Sequence, residues 1–315
     1  RQPPIHASPE RHPLIVWRFT DGKPGHENQT QGLLAALRKH VPVNDFLIHV
    51  ADCRAGLLSC LTGRAVFGKE MPDPDLIVGA GHATHLPMLN ARRLHGGRVV
   101  VLMKPTLPTA WFDLCVIPAH DRPRRAGNIL VSRGVLNRVR PGAHSDAHTG
   151  LILVGGPSDH VAWSTESVVA QIGDVLARSP GMHWTLTTSR RTPAGFLPQL
   201  DNVGRPGLTI APCEKTGPDW LPERLARAAQ VWVTQDSVSM VYEALTAGAA
   251  VGLLVVPWRN DRDRLARGVA QLEQDGLITA FDAWQQGRAL APPAEPFNEA
   301  ERCATWIAER WLNAA

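Results

Sequence analysis

Val231-Trp232-Val233-Thr234-Gln235-Asp236-Ser237-Val238-Ser239-Met240-Val241-Tyr242-Glu243-Ala244-Leu245 joins an apolar run to a polar turn and a helical repeat. Val231 to Thr234 is apolar and β-branched, as a short buried strand requires. Gln235-Asp236-Ser237 follows, and small oxygen-bearing side chains of this kind cap helices. Val238, Val241, Tyr242 and Leu245 then recur at helical spacing. The stretch is a strand, a tight turn and a helix start. Backbone N–H groups left free at such a start can hold an anion such as a phosphate. Glu243, about one and a half turns in, can accept hydrogen bonds from sugar hydroxyls.

The same unit repeats outward in both directions. Leu14 to Trp17 reads as a strand, and Asp21-Gly22-Lys23-Pro24-Gly25-His26-Glu27-Asn28-Gln29 leads into helical spacing at Leu33, Leu34 and Leu37. This loop is neither a P-loop nor G-x-G-x-x-G. It packs more titratable chemistry into eight residues than a connecting turn needs. A histidine there can serve as a general base, oriented by a nearby carboxylate. Further strands are expected over 45–50, 75–78, 98–103, 114–118 and 128–132. The strand at 75–78 runs into Gly79-Ala80-Gly81-His82-Ala83-Thr84, with a helix starting near Thr84.

Arg140 to Gly150 is small, polar and Pro/Gly-bearing, and reads as a linker. The pattern then restarts: a strand at 151–154, the turn Gly155-Gly156-Pro157-Ser158, a helix over 165–178, and a strand at 184–188. The last ends in Ser189-Arg190-Arg191-Thr192, where hydroxyls beside paired arginines suit a diphosphate. Strands at 208–211 and 250–256, a helix over 221–229 and an amphipathic final helix over 299–312 complete the chain. Short apolar strands alternating with helices predict an α/β protein with parallel sheets, and such sheets bind ligands at the carboxyl ends of their strands.

The chain has 315 residues, enough for two domains. The expected domains are 14–143 and 150–292, with a final helix at 297–313 that could pack back on the first. No apolar run is long enough to span a membrane, and Arg1 to Pro13 does not read as a signal peptide. The five cysteines (Cys53, Cys60, Cys115, Cys213, Cys303) include no C-x-x-C pair, which argues against a disulfide framework or a zinc site and fits a reducing compartment. Residues 1–148 hold 19 Lys/Arg against 11 Asp/Glu, and residues 149–315 hold 14 against 18. The first domain is therefore expected to face something anionic. Asp261-Arg262-Asp263-Arg264 has the form of a metal-binding D-x-D. Acids followed by bases also suit a helix start on dipole grounds, so no metal site is assigned there.

Five motifs carry a resemblance: D-G-K-P-G-H-E-N-Q (Asp21 to Gln29), S-R-G-V-L-N-R-V (Ser132 to Val139), L-V-G-G-P-S (Leu153 to Ser158), T-T-S-R-R-T-P (Thr187 to Pro193) and V-T-Q-D-S-V-S-M-V-Y-E-A (Val233 to Ala244). In this order they resemble the mitochondrial-fission "elongated mitochondria" family of plants and its bacterial relatives, from about Leu14 to Leu277. That family is similar to the GT-B glycosyltransferases, which implies two Rossmann-like domains with parallel sheets facing a cleft. The peptidoglycan N-acetylglucosamine transferase, the closer functional relative, also has a Gly-His pair opening a helix. Gly25-His26 matches that pair. The resemblance therefore implies His26 as catalytic base, with Asp21 and Glu27 beside it. It also implies a donor site made by Gly155, Gly156, Ser158, Ser189, Arg190, Asp236, Ser237, Ser239 and Glu243, with Glu243 on the nucleotide ribose.

The function expected is inverting transfer of a sugar from a nucleotide-diphosphate donor, of UDP type, to a cell-envelope glycan or anionic glycolipid. No metal, cofactor or nucleic acid is expected to take part. The expected location is the cytoplasm, with peripheral contact to the inner membrane. A sugar-nucleotide epimerase on the same fold is the alternative, for which His82, His160 and Glu166 offer further acid/base groups. A non-catalytic scaffold that binds a partner is the other.

Overall fold

A computed structural model describes residues 12–53, 71–143, 146–202 and 207–312. Cys60 and part of the 140–150 stretch lie outside the described residues. Twelve strands among the described residues form two six-stranded sheets, every ladder in them parallel. The α/β reading therefore holds for both halves of the chain.

The first sheet comprises β1 (Leu14–Thr20), β2 (Val43–His49), β3 (Leu76–Ala80), β4 (Arg98–Leu102), β5 (Leu114–Pro118) and β6 (Ile129–Ser132), in the order β2-β1-β3-β4-β5-β6. Helices α1 (Pro24–Leu37) and α2 (His85–His95) follow β1 and β3. The second sheet comprises β7 (Thr149–Leu153), β8 (His183–Thr187), β9 (Leu208–Ile210), β10 (Gln230–Thr234), β11 (Ala250–Leu254) and β12 (Thr279–Ala280), in the order β12-β11-β10-β7-β8-β9. Its helices are α3 (Thr165–Arg178), α4 (Phe196–Asp201), α5 (Trp220–Leu225), α6 (Val238–Ala247), α7 (Arg264–Gln274) and α8 (Phe281–Gln285). Helix α9 (Glu299–Ile307) runs into a wider turn at Ala308–Leu312.

The unbroken apolar runs of the strands reflect burial on both faces. Val231 and Val233 enter one core with Leu151, Leu153, Val241 and Leu245. Trp232, between them, points to the opposite core with Ile152, Val168 and Phe281, as the two-residue strand period requires. The large indole is housed by its neighbour: Trp232 pairs with Gly252, where an added Cβ would lie 2.5 Å from the ring. Trp184 and Gly150 form a second such pair.

Contacts divide the chain into two units. The first holds the described residues up to Pro118, then Arg122–Ser132 and Ala300 onward; the second holds Ala119–Asp121 and Arg133–Glu299. The division thus falls earlier than the 140–150 stretch and the second unit runs beyond 292. The reason is packing. Val139 is buried in the second core, Asn137 Nδ2 donates to Thr246 Oγ1 at 3.0 Å, and Gly142 N–H donates to the Ala247 carbonyl. Helix α9 belongs to the first unit from Ala300, with Lys39 2.6 Å from Glu301 and the Arg302 side chain on the Val131 carbonyl. The helix expected over 221–229 is shorter, ending at Leu225.

Candidate functional site

In each sheet the strand order reverses at one place, between β1 and β3 in the first and between β7 and β10 in the second. The loops leaving such neighbours diverge and open a crevice at the carboxyl end of the sheet. The two loop sets singled out from the sequence sit at these two places.

In the first unit, β1 ends at Thr20 and Asp21 follows it. Gly22 takes a φ of +78°, which turns the chain, and Pro24 opens α1 with its fixed φ. This places His26 in the first turn of the helix, its Nδ1 2.9 Å from Asp21 Oδ2 and 3.0 Å from Oδ1. Asp21 is almost fully enclosed, its side chain 6% exposed. Burial pulls its carboxyl upward. The Lys23 N–H, the His26 hydrogen bond and the charges of His26 and Lys23 outweigh this and hold it below the usual carboxylate range. The carboxylate fixes the imidazole by Nδ1, and Nε2 is left without a partner among the described residues. Glu27 is not part of this pair: it accepts from Thr20 Oγ1 at 2.9 Å and ties α1 to the end of β1.

The loop after β3 closes on the same place. Gly81 has a φ of +90°, and a Cβ there would stand 2.5 Å from His26 Cε1 and 3.0 Å from Asp21 Oδ2. Thr84 Oγ1 donates to the Gly81 carbonyl at 2.7 Å and holds this loop. His85 beneath it is buried, 3.3 Å from Thr106 Oγ1. Burial, helped by His82, pushes its pKa down to about 4, so it is neutral near pH 7. At the end of β4, Met103 adopts a φ of +71°, a strained conformation for a residue with a Cβ, and its sulfur accepts from Gln29 Nε2. Such strain concentrates at functional sites. Nothing in the sequence pattern marked Met103.

In the second unit, three loops interlock. Gly155 N–H donates to Thr234 Oγ1 at 2.7 Å, and Gly156 N–H to Asp236 Oδ2 at 3.1 Å. The Arg191 guanidinium reaches the Gly156 carbonyl at 2.7 Å and Asp236 Oδ2 at 2.8 Å. Thr192 Oγ1 donates to the Gly155 carbonyl at 2.6 Å and accepts from Ser189 N–H at 2.8 Å. The glycines are required by this closeness. A Cβ on Gly155 would lie 2.1 Å from Asp236 Oδ2, and one on Gly156 would lie 2.1 Å from the Arg191 carbonyl.

Several expectations change here. The N–H groups of Gly155 and Gly156 are already taken, so they are not free to hold a phosphate. Asp236 is wholly enclosed and faces the loops rather than solvent. Ser237 precedes α6, but its side chain does not cap the helix; its Oγ lies 3.3 Å from Asp236 Oδ2. The backbone N–H groups of Val238 and Ser239 consequently have no partner among the described residues. The arginine pair is split. Arg191 locks the loops, whereas Arg190 is exposed and makes no hydrogen bond or ion pair among the described residues. Ser158 Oγ accepts from His160 N–H at 3.3 Å, Ser239 is exposed, and Glu243 is half-buried in the second turn of α6. Asp263 caps α7, its Oδ1 accepting from Leu265 N–H at 2.7 Å. Among the described residues no three His, Cys, Asp or Glu side chains group as a metal site.

Two α/β units, each with its polar loops at the switch point of a parallel sheet, define a protein of GT-B architecture. The profile of the family described as Mitochondrial fission ELM1 matches residues 24–311, and the chain belongs to that family. No curated protein sequence matches the chain. Among solved structures it is similar to a UDP-N-acetylglucosamine 2-epimerase of Listeria monocytogenes, at 11% identity over 96% of this chain and 98% of that one, with a TM-score of 0.57. It is similar also to the glycotransferase of kitacinnamycin (14%, 95% and 99%, 0.54) and to the UDP-GlcNAc 2-epimerase of Neisseria meningitidis bound to UDP-GlcNAc (9%, 95% and 99%, 0.52). At these identities the likeness is one of fold. No helix among the described residues is long and apolar enough to cross a membrane.

Proposed function

We propose that this protein is a glycosyltransferase that moves a sugar, with inversion, from a nucleotide diphosphate to a hydroxyl of a glycan or glycolipid acceptor. The observation that carries the donor side is the start of α6 at the switch point of the second sheet. Two N–H groups there lack partners, the Ser239 hydroxyl is exposed, and the same unit carries the unspent guanidinium of Arg190. A helix start of this kind attracts a phosphate by its dipole and its donors together, and a guanidinium matches phosphate oxygens in a bidentate way. Glu243 takes the ribose hydroxyls. Asp236 and Arg191 hold the loops in shape and do not bind the donor.

The acceptor side rests on His26. Its Nδ1 is fixed by Asp21, so Nε2 is the atom that takes the acceptor proton. In the reaction the acceptor oxygen attacks the anomeric carbon from the face opposite the diphosphate. The bond to the diphosphate breaks, its electron pair leaves with the diphosphate, and the acceptor proton passes to His26. The GT-B fold and the likeness to a glycosyltransferase support this reading, and the basic first half suits an anionic acceptor or membrane surface.

The test is a product assay with a nucleotide-sugar panel and envelope lipid extract, run on the native protein and His26→Ala. Transfer that needs the extract and falls at least 100-fold in the variant, with donor affinity unchanged, is the expected result. Conversion of donor without acceptor would instead place the protein with the epimerases. Glu243→Ala should weaken donor binding about tenfold; equal affinity would remove it from the ribose.

A further inference from the structure

The second unit contains another histidine–carboxylate pair. His160 Nδ1 lies 2.9 Å from Asp263 Oδ2, and His160 Nε2 has no partner among the described residues. The pair is held from both sides. Val161 bridges Ser158 and Trp258, Ala162 N–H donates to the Pro257 carbonyl, and Arg259 N–H donates to the His160 carbonyl. Asp263 is itself fixed, because its other oxygen caps α7. His160 stands three residues after Pro157, whose carbonyl accepts from the Arg191 lock. It therefore sits at the rim of the interlocked loops, its side chain 41% exposed.

We propose that His160, resting on the donor reading above, is a catalytic residue that binds the departing diphosphate through Nε2–H, with Asp263 as its positioning residue. As the bond from the anomeric carbon to the bridging oxygen breaks, the electron pair stays on that oxygen. His160 in its imidazolium form donates a hydrogen bond to the diphosphate as its charge grows, with no net proton transfer. Around the pair, Arg264 acts on Asp263 and helps hold it charged, Arg259 spends its Nε on the Val161 carbonyl, and Asp159 is exposed beside His160 in the chain. Burial raises the Asp263 carboxyl, but the Leu265 N–H, His160 and Arg264 prevail and keep it below the ordinary range.

Calorimetric titration of the full chain with UDP and GDP, each at pH 5.5 and pH 8, tests this. The native protein should bind one nucleoside diphosphate about tenfold more tightly than His160→Gln does at pH 5.5. His160→Gln should also lose the native dependence of affinity on pH. Asp263→Asn retains a good helix cap, so its fold is preserved, and its affinities at the two pH values should differ from the native ones; equal values would remove Asp263 as the positioning residue. Native binding with an unchanged pH profile in His160→Gln overturns the role of His160 and leaves the donor reading standing. Failure of the native protein to bind either diphosphate at both pH values overturns the donor reading and this inference with it.

Discussion

Among single residues, side chains that hold the loops are distinct from side chains left to meet a ligand. Arg191 and Arg190 are neighbours with opposite assignments, and substitution distinguishes them. Arg191→Ala leaves the enclosed Asp236 carboxylate without its cation. Such a loss costs up to about 3–5 kcal/mol for a fully buried pair, and less here because the guanidinium is 41% exposed. Thermal unfolding should show a clear fall in Tm for Arg191→Ala and almost none for Arg190→Ala. Equal Tm values in the two variants would refute the division. Gly155→Ala drives a methyl into Asp236 and Ser237, and should cost about 1–3 kcal/mol in a denaturant titration. These contacts explain what the sequence could and could not disclose. Gly155, Gly156 and Arg190 were visible as a turn and a basic loop. That Asp236 and Arg191 neutralise each other was not, because residues 45 positions apart meet only once β7, β8 and β10 lie side by side. Asp21, within five residues of His26, was an obvious partner, whereas Glu27, adjacent in sequence, turns to Thr20 instead.

At the scale of elements, the strands were legible because burial on both faces leaves apolar runs, and the helices because their apolar positions recur. The cap of α6 was misread for a physical reason: Ser237 spends its hydroxyl near Asp236, which leaves the helix start open. At the start of α2, His85 links an element to pH. Its folded pKa of about 4 lies below the ordinary imidazole value of about 6.5, so the neutral form is favoured by folding. The corresponding stability is present above about pH 6.5 and is lost as pH falls toward 4. Urea titrations at pH 7 and pH 4.5 should show a loss for the native protein that is smaller in His85→Asn. An identical loss in both would exclude His85 as its source. Helix α9 is anchored to the first unit by Cys303, Ala304 and Ile307, all fully buried. Ile307→Ala should destabilise by about 2–5 kcal/mol, and a change under 1 kcal/mol would show that the helix contributes little to that core.

At the scale of the molecule, the chain repeats one construction twice: a parallel sheet whose order reverses once, with polar loops at the reversal. The alternation of short strands and helices made the two-domain α/β organisation readable. The boundary was less so, since Arg133–Pro141 looks like connecting chain but buries Val139 and binds Thr246 through Asn137. The return of α9 to the first unit depends on contacts such as Lys39 with Glu301, which no local pattern announces. In the proposed function the second unit holds the nucleotide-diphosphate donor, through the open start of α6 and Arg190.

Thermal shift of the native protein and Arg190→Ala against UDP, GDP, CMP and dTDP sugars tests that claim most directly. One nucleotide class should raise Tm, and Arg190→Ala should lose most of the rise while its ligand-free Tm stays at the native value. No rise with any of the four classes, or an equal rise in the variant, would contradict it.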